Sequence, residues 1–342
     1  MSTPVPPGPP PTAPATTGRP ATAAIRLGLI SNIRSQQNRR GTAAIDAAIA
    51  DAPEVVHARL AGVDGLPQAL QDFARDGVGL IVTNGGDGTV QAVLTELLSA
   101  RPFSPLPPLA VLPRGMTNMT AADVGPRGGA VRSLRGLVDL ARGGALAHRL
   151  IRRHVLKVEH AAGYPAQYGM FFGTAGIVRG IEVCRTRVHA RGLESDWATG
   201  VTLAGMLLGW LVSGGRGETF RGETIAVSID AAAAEPRRLF LLLATTLDRL
   251  ILGSRPFWNQ DGGPVRFTAI ADPPRHLVRF ARRILYGPPR RGLPGDTYQS
   301  QAAKRIALEM ACPFTLDGQM FEPEHGRPVI VSAEDEVDFV RL

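Results

Sequence analysis

The stretch Val78–Val90, VGLIVTNGGDGTV, constrains the fold more than any other part of this chain. Leu80-Ile81-Val82 is an unbroken apolar run, the pattern of a strand buried on both faces. Gly85, Gly86 and Gly88 then interrupt it. Glycine suits neither a strand nor a helix interior, but it lets backbone approach a ligand without Cβ interference. Val90, Val93, Leu94, Leu97 and Leu98 recur at helical spacing, so a helix follows. A strand, a glycine turn and a helix start together offer orphan N–H groups and a positive dipole end, which is an anion site. Asp87 sits inside that turn, where a carboxylate repels phosphate unless it holds a metal or accepts a proton. The segment reads as a phosphoryl-transfer site. The bland alternative is a tight connection, but the string Asn84–Thr89 after a buried strand is more specific than an arbitrary glycine turn.

Other phosphate loops are disfavoured. No Gly-Lys-Ser/Thr follows the turn, and the only lysines, Lys157 and Lys304, lie beside no glycine-rich loop. A Walker loop and a protein-kinase strand lysine are therefore both unsupported. The pattern is not G-x-G-x-x-G either, which argues against a nicotinamide site.

Cysteine usage is sparse: Cys184 and Cys312 give neither a disulfide framework nor zinc spacing, so a reducing cytoplasm is the default. The opening residues 1–23 are rich in Pro, Thr, Ala and Gly, without a basic start or an apolar core, and read as a disordered tail. The net charge of +8 is nearly all arginine. From Arg275 to Arg305 eight Lys/Arg residues face one acid, Asp296, so this basic patch has to meet anionic lipid, nucleic acid or plain solvent. Nucleic acid is disfavoured, because no aromatic interleaving or recognition motif accompanies it.

Ile25–Ile30, Val55–Leu60, Gly79–Thr83 and Leu109–Leu112 read as strands, alternating with helices at Thr42–Ala50, Val63–Ala74 and Val131–Ala147. That alternation predicts a parallel, doubly wound sheet. The second half carries strand patterns at Val155–Val158, Gly169–Phe172, Thr224–Ile229, Phe240–Ala244, Val265–Ala269 and Ile306–Met310, and few helical ones. It predicts an antiparallel, β-rich domain. Val201–Val212 is apolar but well short of the ~20 residues needed to span a bilayer, and reads as a buried helix.

Four separated segments resemble the diacylglycerol kinase catalytic-domain family, which includes bacterial lipid kinases and sphingosine kinases. Gly85-Gly86-Asp87-Gly88-Thr89 matches its nucleotide-binding signature. Leu112-Pro113-Arg114-Gly115-Met116-Thr117-Asn118 resembles its Pro-x-Gly-Thr-x-Asn loop. Ser31-Asn32 stands where the family has Asn-Pro, and Leu316-Asp317-Gly318-Gln319 is similar to its Asp-Gly-Glu. NAD kinases share the glycine-rich aspartate motif, but the segment after it differs. The departures are Ile33 for proline, Met116 for threonine with Thr117 adjacent, and Gln319 for glutamate, with Glu322 three residues on.

The resemblance implies an α/β fold: an N-terminal doubly wound parallel sheet of the NAD kinase/diacylglycerol kinase kind, then a β-rich sandwich domain. Residues 24–147 would bind nucleotide and 148–342 the lipid substrate, with the C-terminal segment free to pack back on the first domain. It implies an ATP-dependent lipid kinase that moves the γ-phosphate to a diacylglycerol-like hydroxyl and uses Mg²⁺. A catalytically weakened lipid- or nucleotide-binding protein, motivated by Gln319, and an NAD-type kinase stay as alternatives. Asn32, Gly85, Gly86, Asp87, Gly88, Thr89, Gly115, Thr117 and Asn118 would hold the nucleotide. Asp87 and position 319 would serve the metal. Both Asp87 and Asp317 are candidates for the general base, and the sequence does not choose between them; Asp317 is assigned the base and Asp87 the nucleotide and metal.

A lipid acceptor agrees with Arg275–Tyr286. Leu277, Phe280, Ala281, Ile284 and Leu285 fall on one helical face and Arg275, Arg279, Arg282 and Arg283 on the other. Such a helix can lie on an anionic membrane, which would place the protein in the cytoplasm at the inner membrane face. The same split also describes a surface helix packed on the core. A homodimer is left open.

Overall fold

The computed structural model describes residues 24–35, 37–115, 117–182, 222–259, 261–288 and 292–342. The expected tail at 1–23, the Val201–Val212 segment and Met116 lie outside these residues.

The first unit runs β1 (Arg26–Asn32), α1 (Ala43–Ile49), β2 (Val55–Leu60), α2 (Leu66–Arg75), β3 (Val78–Gly85), α3 (Asp87–Ser99), β4 (Leu109–Pro113), α4 (Met119–Val124) and α5 (Ala130–Arg142). β2, β1, β3 and β4 lie side by side and parallel. The unbroken apolar strand sequences follow from burial on both faces. Leu27, Leu29, Leu80 and Val82 pack with α1 and α5 on one side. Ile30 and Ile81 pack with α2 and α3 on the other. The chain thus leaves β1 toward one face and its neighbour β3 toward the opposite face. Their diverging loops open a crevice at the carboxyl ends of the strands, the usual ligand position in such sheets.

The second unit is antiparallel. β6 (Leu156–Glu159), β7 (Gln167–Gly169), β8 (Phe171–Ala175), β9 (Glu223–Ile229), β10 (Glu235–Thr245), β11 (Val265–Ala271) and β12 (Tyr298–Ala303) are joined by β13 (Arg305–Glu309), β14 (Phe314–Leu316), β15 (Gln319–Phe321) and β16 (Val329–Ser332). Together they make one continuous eleven-stranded sheet. Strands from both ends, β6 and β14 among them, share one core, so the sheet curls onto itself. Alternation divides β10 between two cores: Leu242 and Ala244 face this inner core, Leu241 and Leu243 face the first unit.

Two strands return to the first sheet. β17 (Glu336–Val340) pairs parallel with β4, and β5 (Leu150–His154) pairs antiparallel with β17. The units are also fastened along α3, where the Thr95 hydroxyl accepts from Tyr168 N–H at 2.9 Å and donates to its carbonyl at 3.3 Å. No helix among the described residues is long and apolar enough to cross a membrane.

The helix expected around Arg275–Tyr286 runs Leu277–Tyr286. Its apolar stripe is turned inward, with Leu277, Ala281 and Ile284 buried. Its outer face carries Arg279, Arg282 and Arg283, together with Val278 at 62% exposure and Tyr286 at 50%, while Arg275 is exposed just before the helix, ahead of the left-handed His276.

Candidate active site

The glycine turn leaves β3 at Gly85, passes through extended Gly86 and enters α3 at Asp87. The Gly86 carbonyl accepts the Thr89 and Val90 N–H groups at 2.8 and 3.2 Å, which starts the helix. A second glycine loop leaves β4 and lies directly against the first. A Cβ at Gly86 would stand 3.0 Å from the Gly115 Cα, so both positions require glycine for this close approach.

Asparagine and aspartate hold the two loops. Asn118 adopts the left-handed conformation, which its short amide tolerates. Its side chain brackets Gly115, accepting from the N–H at 2.7 Å and donating to the carbonyl at 2.9 Å. Asp87 is 7% exposed and reaches across to the second loop. Its Oδ2 accepts from the Thr117 hydroxyl at 2.7 Å and Met119 N–H at 3.1 Å, and its Oδ1 from Thr120 N–H at 3.1 Å. Asp87 therefore caps α4, a helix that sequence periodicity does not announce. Three donors leave one lone-pair direction on Oδ1 for a further partner.

The loop after β1 completes this side. Asn32 donates to the Thr89 hydroxyl at 3.0 Å and accepts from Arg34 N–H at 3.0 Å. Beneath it Asn38 donates to the Asn32 and Asn84 carbonyls at 2.9 and 2.8 Å. Ser31 Oγ receives Asn84 Nδ2 at 2.8 Å and lies 2.8 Å from His57 Nε2. Burial lowers the His57 pKa below its ordinary value, helped by the Arg59 charge. This network was not read from the sequence; Asn38 sits in a polar run with no periodicity to mark it.

The opposite wall comes from the second unit. β14 and β15 form a tight hairpin through Asp317-Gly318, both with positive φ. Asp-Gly is the pair that suits such a turn. The Asp317 carboxylate, 3% exposed, accepts from Met170 N–H at 2.8 Å and Phe171 N–H at 2.9 Å. Burial pushes its pKa well above the usual carboxylate range, and the Asp87 charge pushes it further; the two backbone N–H groups oppose both. Gln319 extends from the same hairpin over Gly88, where a Cβ would meet its amide. Glu322 is exposed beyond the hairpin.

The structure thus brings together Asn32, Gly85, Gly86, Asp87, Gly88, Thr89, Gly115, Thr117, Asn118, Asp317 and Gln319, from three loops of the parallel sheet and one hairpin of the antiparallel sheet. The two loops meet at Gly86 and Gly115 beside the start of α3, and this glycine cradle presents helix-start N–H groups that suit a phosphate chain. Among the described residues no group of three or more His, Cys, Asp or Glu could hold a metal by itself. The donor set suits a Mg²⁺ held largely by water and phosphate, with the open direction of Asp87 as its protein contact.

Comparison with known proteins bears on the fold. The chain is similar to the solved structure of a provisionally named diacylglycerol kinase from Bacillus anthracis str. Sterne, at 16% identity and a TM-score of 0.64, over 94% of this chain and 98% of that one. A second structure so named from that organism gives 17% identity and a TM-score of 0.62, over 92% and 94%. A third, of a diacylglycerol kinase from the same source, gives 17% and 0.59, over 93% and 97%. At these identities the likeness is one of fold. No curated protein matches the chain. Residues 26–146 match the family model described as Diacylglycerol kinase catalytic domain, and over that span the resemblance seen in the motifs is borne out.

Proposed function

We propose that the chain is an ATP-dependent lipid kinase that transfers a γ-phosphate to the hydroxyl of a diacylglycerol-like acceptor. The observation that carries this reading is the pair Asp87 and Asp317, set on opposite walls of the glycine cradle, with the Asp87 charge adding to the burial that raises the Asp317 pKa. Phosphoryl transfer requires placement, charge neutralisation and an acceptor for the hydroxyl proton. In this reading the N–H groups at the start of α3 hold the phosphates, and Asn32, Thr89 and Asn118 fix the loops around them. Asp317 takes the hydroxyl proton; its raised pKa makes it a stronger base once ionised. Asp87 steadies the second loop through Thr117, Met119 and Thr120 and would help to hold the metal. Bound Mg²⁺ would supply charge neutralisation at the transferred phosphate.

A lipid acceptor gives the arginine face of the Leu277–Tyr286 helix a role. Arg275, Arg279, Arg282 and Arg283 would meet anionic headgroups at the inner membrane face, with Val278 and Tyr286 entering the interface. Gln319 favours a second reading, a nucleotide- and lipid-binding protein with weakened turnover, because an amide occupies the place over Gly88. One experiment separates the two: single-turnover incubation with labelled Mg-ATP and a total lipid extract. Labelled lipid is expected. Nucleotide binding without any labelled product would leave only the binding reading.

A further inference from the structure

Four charged side chains outside the cleft join the two units. Asp123 belongs to α4 and Arg153 to β5, both of the first unit. Asp248 follows β10 and Arg266 lies on β11, both of the second. Each unit thus gives one acid and one base, and one ion pair and one backbone hydrogen bond cross between them. Arg153 donates to Asp248 at 2.6 Å and lies 3.7 Å from Asp123. The Asp248 N–H donates to Asp123 at 3.1 Å. Arg266 donates to Asp248 at 2.7 Å and to the Leu247 carbonyl at 2.6 Å, with its guanidinium stacked over Phe257.

The cluster is tied to both carboxylates of the cleft. On one side, Asp123 lies in the last turn of the short helix α4, whose first N–H groups are held by Asp87. On the other, three residues before Asp248, the Thr245 hydroxyl donates to the Met170 carbonyl at 2.8 Å, and Thr246 N–H reaches the same oxygen at 3.3 Å. The N–H of Met170 holds Asp317 at 2.8 Å. A continuous path therefore runs from Asp87 through α4 to Asp123, across to Asp248, back along Thr245 to Met170, and so to Asp317.

We propose that the Asp123–Arg153–Asp248–Arg266 cluster is a positioning device that sets the alignment of Asp87 against Asp317, with Asp248 as its central residue. This rests on the kinase reading only for its kinetic consequence; the mechanical linkage does not need it. Ion pairs at partly buried sites weigh more for geometry than for net stability, since their attraction is offset by desolvation. An error of about 1 Å at the reacting atoms can cost on the order of a hundredfold in rate. Loss of the cluster should therefore appear in kcat before it appears in nucleotide affinity.

The test compares Asp248→Asn with Asp248→Glu, which keeps the charge. For Asp248→Asn, kcat for lipid phosphorylation is expected to fall between about tenfold and one hundredfold. Mg-ATP affinity should stay within twofold, and Asp248→Glu should recover most of the rate. Hydrogen exchange gives a readout that needs no acceptor: peptides carrying Met119–Thr120 and Met170–Phe171 should both exchange faster in Asp248→Asn. Faster exchange confined to residues around Asp248 would overturn the linkage. Unchanged kcat in the folded Asn variant would overturn the positioning role, as would equal loss of kcat and affinity in both variants. A wild-type protein that labels no lipid sinks the kinase reading and leaves the exchange experiment to decide this one.

Discussion

Gln319 lies over Gly88, so a hairpin of the antiparallel sheet covers the first turn of a helix that belongs to the parallel sheet. A glutamate there would bring negative charge beside the proposed metal, where the amide brings only a dipole. Gln319→Glu is expected to raise Mg²⁺-dependent turnover, by up to the ~10²-fold that one positioned electrostatic group supplies. Glu322 is exposed beyond the hairpin, so Glu322→Gln should leave turnover near wild type. Rates across a Mg²⁺ titration for both variants check this.

The contact between Gly86 and Gly115 predicts a steric effect without backbone strain. Gly86 has φ −88° and ψ 179°, which alanine adopts freely. Its Cβ, however, would press on the Gly115 Cα at 3.0 Å and so shift the two loops that hold the phosphates in the proposed site. Gly86→Ala should keep its fold and lose at least about tenfold in ATP affinity, since a single displaced phosphate contact is worth more than 1.4 kcal/mol. Calorimetric titration with ATP would show it; unchanged affinity moves the phosphates elsewhere.

The pKa of Asp317 is raised in the folded protein, first by burial and then by the Asp87 charge. A base works only when ionised, so turnover should climb with pH through that raised value. Stability should move the other way: the folded state binds the proton more tightly than the unfolded chain does, so stability is greatest below the ordinary carboxylate pKa and is lost as pH rises through the raised one. Asp317→Asn should abolish turnover and flatten this part of the stability profile. Turnover retained in that variant would transfer the base to Asp87.

Arginines on the outer face of the Leu277–Tyr286 helix give a charge-dependent prediction. Replacing Arg279, Arg282 and Arg283 with Gln should weaken binding to phosphatidylglycerol vesicles by roughly a hundredfold at low salt. Turnover of a soluble short-chain acceptor should not change. Vesicle sedimentation with each protein measures the first effect. Equal binding would reduce this face to a solvated surface.

The parallel sheet and its crevice were legible because the strands Leu80–Val82 and Leu109–Leu112 are apolar on both faces and glycine ends the first of them. The site residues could be named because their spacing is tied to loops of fixed length. What held them could not. Asp87 binds α4 through backbone N–H groups 32 and 33 residues away, and Asp317 binds N–H groups 147 and 146 residues away, and a backbone donor leaves no trace in residue type. β14 and β15 are three residues each, too short for alternation to register, although Asp317-Gly318 carries a hairpin signal of its own. The amphipathic split at Arg275–Tyr286 gave the helix, which starts two residues later at Leu277, but not what its apolar stripe meets, since a core and a bilayer select the same stripe; Leu277, Ala281 and Ile284 are buried in the core.

β17 stands between β4 and β5 in the parallel sheet. A segment ending at residue 146, the span the family model matches, would leave β4 an open edge with Leu109, Val111 and their neighbours lacking the strand that covers them. The glycine cradle hangs from that edge through Pro113. During synthesis β4 therefore stays an open edge until the segment Glu336–Val340 emerges and slides into the gap. The antiparallel strands lie between β5 and β17 in sequence, so completing the first sheet is a long-range closure of the kind that slows folding.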